Sequence, residues 1–402
     1  MGFDTGSTAF MLVSTSLVML MTPGLAFFYG GLVGRKNVLT IMMQSFVSLG
    51  ITTIIWFTVG YSLCFSGDVF GIIGNLDLAF LRGVTLDQAL SPTNNIPLIV
   101  FIAYQMMFAV ITPALITGAF TERIKFKAYL IFQVAWLFLV YFPFTHMIWG
   151  GGILAQWGVV DFAGGIVVHT SAGMAALASV FYVGRRKHKD TQPHSIPLIA
   201  LGTALLWFGW YGFNAGSELR VDGITAIAFI NTDIAASFAA VVWLILEWIK
   251  TGKPKFVGFL TGAVAGLATI TPAAGFVGMG GAAIIGIVAG IVCFYAVGLK
   301  NKLKWDDALD VWGVHGVGGI TGVIMLAILA NPLVNGVAGL VHGGVKFFFV
   351  EVGAVIGAAI YAFIISYLML KLINKITEVK VDEQDQVSGV DQATHEENAY
   401  LM

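Results

Sequence analysis

DFAGGIVVHTSAG, residues 161–173, and DALDVWGVHGVGG, residues 307–319, align without a gap and define an internal repeat. The first aspartate, one valine, the histidine and the last glycine coincide. Each segment lies in the fifth of five successive apolar runs. Because five is odd, a chain that crosses a membrane once per run traverses the second set in the opposite direction. The repeat therefore predicts two similar halves of inverted orientation.

The composition requires a lipid environment. Of the 402 residues, 58% are hydrophobic and 11% are charged, and the mean hydropathy is +0.88. Water-soluble domains contain about a quarter charged residues, so this chain lacks the charge for a solvated surface. We predict an all-α integral membrane protein with eleven transmembrane helices, the last outside the 5+5 inverted repeat. The apolar runs are residues 7–33, 38–66, 97–120, 127–149, 161–184, 195–216, 223–249, 256–272, 280–299, 307–330 and 343–374.

Basic residues alternate between the connections of these runs. One set of connections holds Arg82, Arg220 and Lys346, and the other set holds all remaining members of the 21 Lys and Arg residues. Cytoplasmic loops carry the excess of basic residues in membrane proteins. The distribution predicts a multi-pass protein of the cell membrane with an extracellular N-terminus and a cytoplasmic C-terminus. The net charge of −1 gives no reason to expect a nucleic-acid partner.

His169 and His315 occupy the same position in the two repeat segments. Each follows its segment start by eight residues, or ~12 Å of helix, which predicts a position near the middle of a ~30 Å hydrocarbon core. An ionisable group there usually faces a cavity or another polar group. Two imidazoles at matching depth can share one hydrogen bond, fix each other's tautomer and direct both remaining nitrogens to a lumen. Alternatively, each histidine bonds a neighbouring carbonyl or hydroxyl separately.

Asp161 and Asp307 open the two segments and lie too far from the histidines to orient them directly. An acidic residue at this place is typical of an N-terminal helix cap. That interpretation is favoured for Asp307. For Asp161 the choice between a helix cap and a functional acid stays open, because its end of the helix faces the predicted outer side. Asp310 is a second candidate acid near the opposite membrane face.

Aromatic residues concentrate near the outer ends of predicted helices 3, 4 and 6. Trp149 closes HMIW at residues 146–149, and Phe213 and Ser217 are four residues apart, so that ring and hydroxyl share one helix face. Such residues usually form an interfacial belt. The alternative is a cation-binding mouth, in which each ring contributes ~0.5–2 kcal/mol.

Seven separated stretches of the chain match one known family pattern. They are PGLAFFYGGLVGRKN from Pro23, AFTERIKF from Ala119, HMIWGGG from His146, DFAGGIVVH from Asp161, WFGWYGFNAGS from Trp207, ITPAAGFV from Ile270 and VWGVHGVGGI from Val311. Over nearly its whole length the sequence resembles the ammonium transporter family, the Amt/Mep/Rh group, and within it the Amt branch. The resemblance implies a homotrimer with one pore per subunit. It also implies transport of ammonium or ammonia, with methylammonium as an analogue, and neither enzymatic activity nor a cofactor.

The resemblance further implies which residues form an outer site. The family's recruitment site falls on Phe108, Trp149 and Ser217, and its stacked gate falls on Phe108 and Phe213. Counting residues from Pro97 places Phe108 nearer the middle of the membrane than the mouth.

Along the pore, the family's paired histidines fall on His169 and His315, and its acid near the outer vestibule matches Asp161. A cation in an apolar passage faces a cost of order tens of kcal/mol, so the passage rejects ions that cannot lose their charge. We expect ammonium to be recruited, deprotonated, and passed as ammonia along largely neutral histidines. The proton is either released outside, giving neutral flux, or relayed along the imidazoles, giving charge movement.

The chain divides into a transmembrane domain, residues 1–376, and a tail, residues 377–402. The tail carries seven acids and one base, a composition typical of a disordered segment. Its GVDQATHEENAY stretch, residues 389–400, resembles the family's cytoplasmic C-terminal motif. The motif implies contact with neighbouring subunits and regulation by a PII-type (GlnK-like) protein. Glu396 stands where many members have glycine.

Three other functions are alternatives to this one. A metal transporter or intramembrane metalloenzyme could use His146, His169 and His315, but no HExxH motif or cysteine cluster is present and no metal site is expected. An ammonium sensor of this family carries an appended signalling domain, for which the tail is too short. An Rh-like neutral gas channel is the third, and Trp149 favours the cation-recruiting branch over it.

Overall fold

The structure is a computed structural model that describes residues 2–187 and 192–400; Lys189, one of the basic residues used to predict orientation, lies outside them. Its architecture is helical, and the membrane-protein class is confirmed. The long helices are α1 (Thr5–Leu32), α2 (Val38–Phe65), α3 (Leu98–Phe120), α4 (Phe126–Gln156), α5 (Gly165–Val183), α6 (Ile196–Glu218), α7 (Gly223–Thr251), α8 (Phe256–Ile270), α9 (Met279–Lys302), α10 (Trp312–Leu329) and α11 (Val345–Ile373).

Ten of these helices in the described part of the chain are long and apolar enough to cross a membrane. The exception is α8, which has 15 residues. Two short antiparallel strands, β1 (Ala89–Ser91) and β2 (Asn94–Pro97), form a hairpin in the connection between α2 and α3. The helices α3 and α5 are the most buried of the set, so the centre of the bundle is built around them.

The two repeat segments enter their helices later than the sequence predicts. The helix α5 begins at Gly165 and α10 at Trp312, not at residues 161 and 307, because the intervening residues form caps. Both helices begin with a π-helical turn, Gly165–Thr170 in α5 and Trp312–Gly316 in α10. A wide turn of this kind is common at functional sites. Each π turn contains the histidine of its repeat.

Glycines at equivalent repeat positions let α5 and α10 cross closely. A Cβ atom on Gly173 would lie 2.1 Å from the backbone nitrogen of Gly316, next to His315. A Cβ atom on Gly319 would lie 2.9 Å from Cβ of His169. Small residues allow helix backbones to approach in lipid. The repeated glycine therefore brings each helix against the other's histidine turn.

The tail is ordered where the structure describes it, contrary to the expectation from its composition. It forms two short helices, α12 (Glu383–Ser388) and α13 (Val390–His395). The carboxylate of Asp391 accepts hydrogen bonds from the backbone N–H of Leu39 (2.9 Å) and Thr40 (2.7 Å) at the start of α2. The tail thus supplies the N-terminal cap that α2 lacks from its own Asn37, and this buried contact orders an otherwise polar segment.

Candidate functional site

An aromatic cavity of about 420 Å³ opens near the ends of α3, α4 and α6. Its walls include Phe108, Trp149 and Ser217, three residues that the sequence resemblance grouped together. The hydroxyl of Ser217 donates to the Phe213 carbonyl at 2.9 Å, so its oxygen keeps lone pairs for a further donor. The Trp149 indole donates to the Asp161 carbonyl at 2.7 Å, which fixes the orientation of its ring. A cation in this cavity would meet aromatic rings and a hydroxyl acceptor.

Gln105 also lines the aromatic cavity, and sequence reasoning missed it. Its side-chain oxygen is buried and has no hydrogen-bond partner among the described residues. The residue lies three positions before Phe108 on α3, so the helical period could have indicated that the two share a face. An unpaired amide oxygen is a second acceptor for a cation in this cavity.

Phe108 and Phe213 stack beneath the aromatic cavity. Their ring centroids are 4.1 Å apart with an interplanar angle of 26°, and Trp149 meets Phe108 edge-on at 5.9 Å. Both phenylalanines are almost fully buried. The stack therefore closes the floor of the cavity with two aromatic rings.

His169 and His315 lie together behind the phenylalanine stack. Their Nδ1 atoms are 3.2 Å apart, and the planes of their rings are nearly parallel, with an interplanar angle of 20°. Phe213 lies 6.1 Å from the His169 ring, so the rings of Phe108, Phe213, His169 and His315 form a continuous file. A void of about 10 Å³ beside this file is lined by Phe213 and both histidines. That volume is no larger than a single water needs.

The Nε2 atom of His169 contacts protein and does not face an open lumen, whereas the sequence predicts that this nitrogen faces the lumen. Its Nε2 lies 3.3 Å from the hydroxyl of Thr271, and the Trp210 ring stacks on the imidazole at 5.5 Å. Trp210 also donates to the Thr271 hydroxyl at 2.9 Å. Sequence reasoning missed both residues, although Trp210 stands in the WFGWYGFNAGS stretch and Thr271 in ITPAAGFV.

Asp161 and Asp307 accept hydrogen bonds from the backbone at the starts of their helices. One oxygen of Asp161 bonds the N–H groups of Gly164 (2.9 Å) and Gly165 (2.6 Å), and the other bonds Ile166 (2.8 Å) and Val167 (3.1 Å). All four lone-pair positions of the Asp161 carboxylate are occupied in this way. Asp307 bonds two such groups among the described residues, those of residues 311 and 312. The geometry is that of N-terminal caps.

A charged cavity of about 410 Å³ lies at the other end of α5. His315 lines it together with Arg186, Lys300, Asp306 and Asp310. The Asp310 carboxylate pairs with Lys300 at 2.6 Å. Because Asp161 precedes α5 and Arg186 follows it, the aromatic and charged cavities lie at opposite ends of this helix. The file of rings runs between them.

A buried ion-pair network borders the charged cavity. Arg186 bonds Asp306 at 2.9 Å and lies 3.6 Å from Glu122, while Arg123 lies 3.7 Å from Asp306. Burial opposes the charge on Asp306, but the hydrogen bonds from Arg186 outweigh it and hold the pKa of that carboxyl well below its usual range. The network joins the connection after α3 to the connections after α5 and α9.

The residues of the metal hypothesis do not converge. His146 contacts the Cys64 carbonyl at 2.9 Å and the Asp68 carboxylate at 3.1 Å. Within residues 2–187 and 192–400, no group of three or more His, Cys, Asp or Glu side chains is arranged to hold a metal ion.

Comparison with known proteins gives the family. The sequence model of the Ammonium Transporter Family matches residues 9–400. The chain belongs to this family. The resemblance inferred from the seven sequence stretches is therefore confirmed, and the chain is a multi-pass membrane transporter and not an enzyme.

Individual relatives align with this chain over almost all of its length. Ammonium transporter Amt1 of Archaeoglobus fulgidus is 46% identical over 398 residues, which cover 98% of this chain and 99% of the relative. An ammonium transporter of Bacillus subtilis is 44% identical over 399 residues, or 98% of each chain. The crystal structure of Candida albicans Mep2 is 34% identical with a TM-score of 0.90, covering 100% of this chain and 94% of that one.

Proposed function

We propose that this protein moves ammonium or ammonia across the cell membrane along the file of rings between its two cavities. The observation that carries the proposal is the continuity of that file. Phe108 lines the aromatic cavity and stacks on Phe213, which lies beside His169. His169 in turn stacks on His315, which lines the charged cavity.

The aromatic cavity is the proposed recruitment site. Phe108 and Trp149 offer ring faces and Ser217 offers an acceptor oxygen, which together replace part of the hydration of ammonium. Each ring contributes ~0.5–2 kcal/mol to the binding of a cation. The site takes methylammonium as an analogue, because the rings accept a methyl group as readily as an N–H group.

The phenylalanine stack and the histidine pair form the proposed barrier to ions. A hydrated cation cannot fit the void of about 10 Å³ beside His169 and His315, and a bare one faces a cost of order tens of kcal/mol. Ammonium passes because it can leave a proton behind, whereas potassium and sodium cannot. Phe108 and Phe213 act as the gate, and Asp161 holds the first turn of α5 in place.

The proposal includes eleven crossings, with the N-terminus outside and the C-terminus inside. At ~1.5 Å per residue, α8 is ~22 Å long and needs further chain to span the membrane. Thr271, Ala273, Ala274 and Val277 continue it as fully buried residues. Non-helical backbone is tolerated at membrane depth where protein surrounds it. Counting α8 gives two inverted sets of five helices plus α11.

Assembly and regulation follow the resemblance to the family. We propose a homotrimer with one pore in each subunit, and a regulatory role for residues 377–402 through a PII-type (GlnK-like) protein at the cytoplasmic face. The contact of Asp391 with the start of α2 supports this role, since a partner that moves the tail would act on a transmembrane helix. Native mass spectrometry and a binding assay with a purified PII-type protein test the two parts separately.

Currents and internal pH of proteoliposomes test the transport proposal. Pulses of ammonium and methylammonium are expected to give a response that potassium does not. A current means net charge transfer, and alkalinisation of the lumen without a current means that neutral ammonia moves.

Trp149→Leu is expected to weaken the apparent affinity for ammonium about 2- to 30-fold. Trp157→Leu is the matched control, because Trp157 is 60% exposed and lies outside the aromatic cavity. An equal response to potassium would overturn the proposal.

A further inference from the structure

The hydroxyl of Thr271 lies within hydrogen-bond distance of three groups. These are the Leu267 carbonyl oxygen at 2.8 Å, the Trp210 indole nitrogen at 2.9 Å and Nε2 of His169 at 3.3 Å. A hydroxyl has one proton to donate and can accept two hydrogen bonds. The three contacts therefore fill its capacity, and each has a defined direction.

Two of these directions follow from the partners. The Trp210 indole can only donate. The Leu267 carbonyl can only accept, it is the nearest of the three, and a threonine in a helix commonly donates to the carbonyl four residues earlier. The Thr271 proton is therefore committed to Leu267. The remaining contact requires that His169 donates from Nε2 to the Thr271 oxygen.

The proton on Nε2 of His169 determines the state of the other histidine. A neutral imidazole carries one proton, so Nδ1 of His169 has a lone pair. Across the 3.2 Å contact, Nδ1 of His315 must then be the donor, and its Nε2 is left with a lone pair. We propose that Thr271 is a positioning residue that fixes this proton order in the histidine pair.

The consequence is a difference between two histidines that the repeat makes equivalent. Both nitrogens of His169 are engaged, whereas Nε2 of His315 has no bonded partner among the described residues. His315 lines the charged cavity as well as the central void. A proton released by ammonium between the rings would bind Nε2 of His315, leaving ammonia and an imidazolium that can return the proton to the charged cavity. This step deepens the proposed function and rests on it.

Nitrogen-15 NMR of protein labelled at histidine tests the assignment without any transport measurement. Protonated and lone-pair ring nitrogens resonate far apart, and His169→Ala and His315→Ala spectra assign the signals. We expect Nε2–H at His169 and Nδ1–H at His315. A wild-type spectrum with the proton on Nδ1 of His169 would overturn the inference. Because the spectrum is independent of flux, it separates this inference from the proposed function.

Three variants separate positioning from general packing. Thr271→Val keeps the side-chain shape and is expected to redistribute the proton of His169, and Thr271→Ser is expected to restore it. Thr269→Val is the matched control, since Thr269 is also buried and donates to the carbonyl four residues earlier at 2.8 Å but bonds no histidine in the described part of the chain.

Transport provides a second measurement of the role of Thr271. Methylammonium uptake is expected to fall about fivefold in Thr271→Val, the size of one lost hydrogen bond, with a shifted pH profile, and to recover in Thr271→Ser. Unchanged tautomers in a folded Thr271→Val protein would refute the role of Thr271. If that variant does not fold, the wild-type and Thr271→Ser spectra still decide the proton order.

Discussion

Replacement of Asp161 by asparagine separates a structural from a cation-binding role for this acid. The carboxylate accepts four backbone hydrogen bonds, two on each oxygen. Asparagine keeps one oxygen and places an NH₂ group against the other two N–H groups. Two buried donors then lose their acceptor, at about 1–3 kcal/mol each, so we expect a loss of about 2–6 kcal/mol.

Asp307 offers an internal control for this magnitude. Its oxygens accept one backbone hydrogen bond each, from residues 311 and 312. Asp307→Asn therefore orphans one donor where Asp161→Asn orphans two, and is expected to cost about 1–3 kcal/mol. Both variants also lose a negative charge at a helix start, worth ~0.3–1 kcal/mol in each.

Both variants and the wild type are heated in detergent, and size-exclusion chromatography measures the fraction that stays folded at each temperature. Methylammonium uptake by the folded fraction measures the apparent affinity. We expect Asp161→Asn to lower stability about twice as much as Asp307→Asn and to leave the affinity within about twofold of the wild type. A variant of wild-type stability with a much weaker affinity would refute this reasoning and assign Asp161 to the cation.

Three further changes test the packing, the tail and the ion-pair network. Gly173→Ala forces a Cβ atom to 2.1 Å from the backbone of α10 and is expected to lower the stability by about 1–3 kcal/mol, measured as a lower melting temperature. Gly353→Ala, whose added Cβ atom meets open space, is expected to leave the melting temperature unchanged. Glu396 has a left-handed backbone (φ 56°), which glycine adopts without the steric cost of a Cβ atom, so Glu396→Gly is expected to stabilise the tail by about 1 kcal/mol. Faster hydrogen exchange of residues 390–400 in this variant would contradict the expectation. The depressed pKa of Asp306 beside Arg186 contributes stability above its ordinary value of about 3.9, which is lost as the pH falls through the folded-state pKa. Thermal melts should therefore show a constant deficit for Asp306→Asn above about pH 5 that narrows below about pH 4, and a constant deficit throughout would contradict it.

The membrane architecture could be predicted from the sequence because lipid imposes a long apolar run on every crossing. The pairing of His169 with His315 could also be anticipated, since an internal repeat places equivalent residues at equivalent depths. The same repeat explains Gly173 and Gly319, whose role appears only once the two helices are seen to cross.

Other features depend on contacts that leave no period in the sequence. Counting along one helix places Phe108 nearer the middle of the membrane than the mouth, but the aromatic cavity extends into the bundle, so a residue deep in α3 still forms its floor. The hydroxyl of Thr271 meets His169 across 102 positions of the chain. The order of the tail depends on Asp391, which contacts a helix start 351 positions away. Neither contact could be derived from local composition.

The role of the histidine pair as the passage is tested most directly by ammonium flux and potassium leak in proteoliposomes containing His169→Ala. His342→Ala, a change at an exposed histidine, is the control. We expect His169→Ala to impair ammonium transport or to admit potassium, and His342→Ala to do neither. Unchanged ammonium flux together with unchanged exclusion of potassium would contradict the claim that the histidine pair forms the passage.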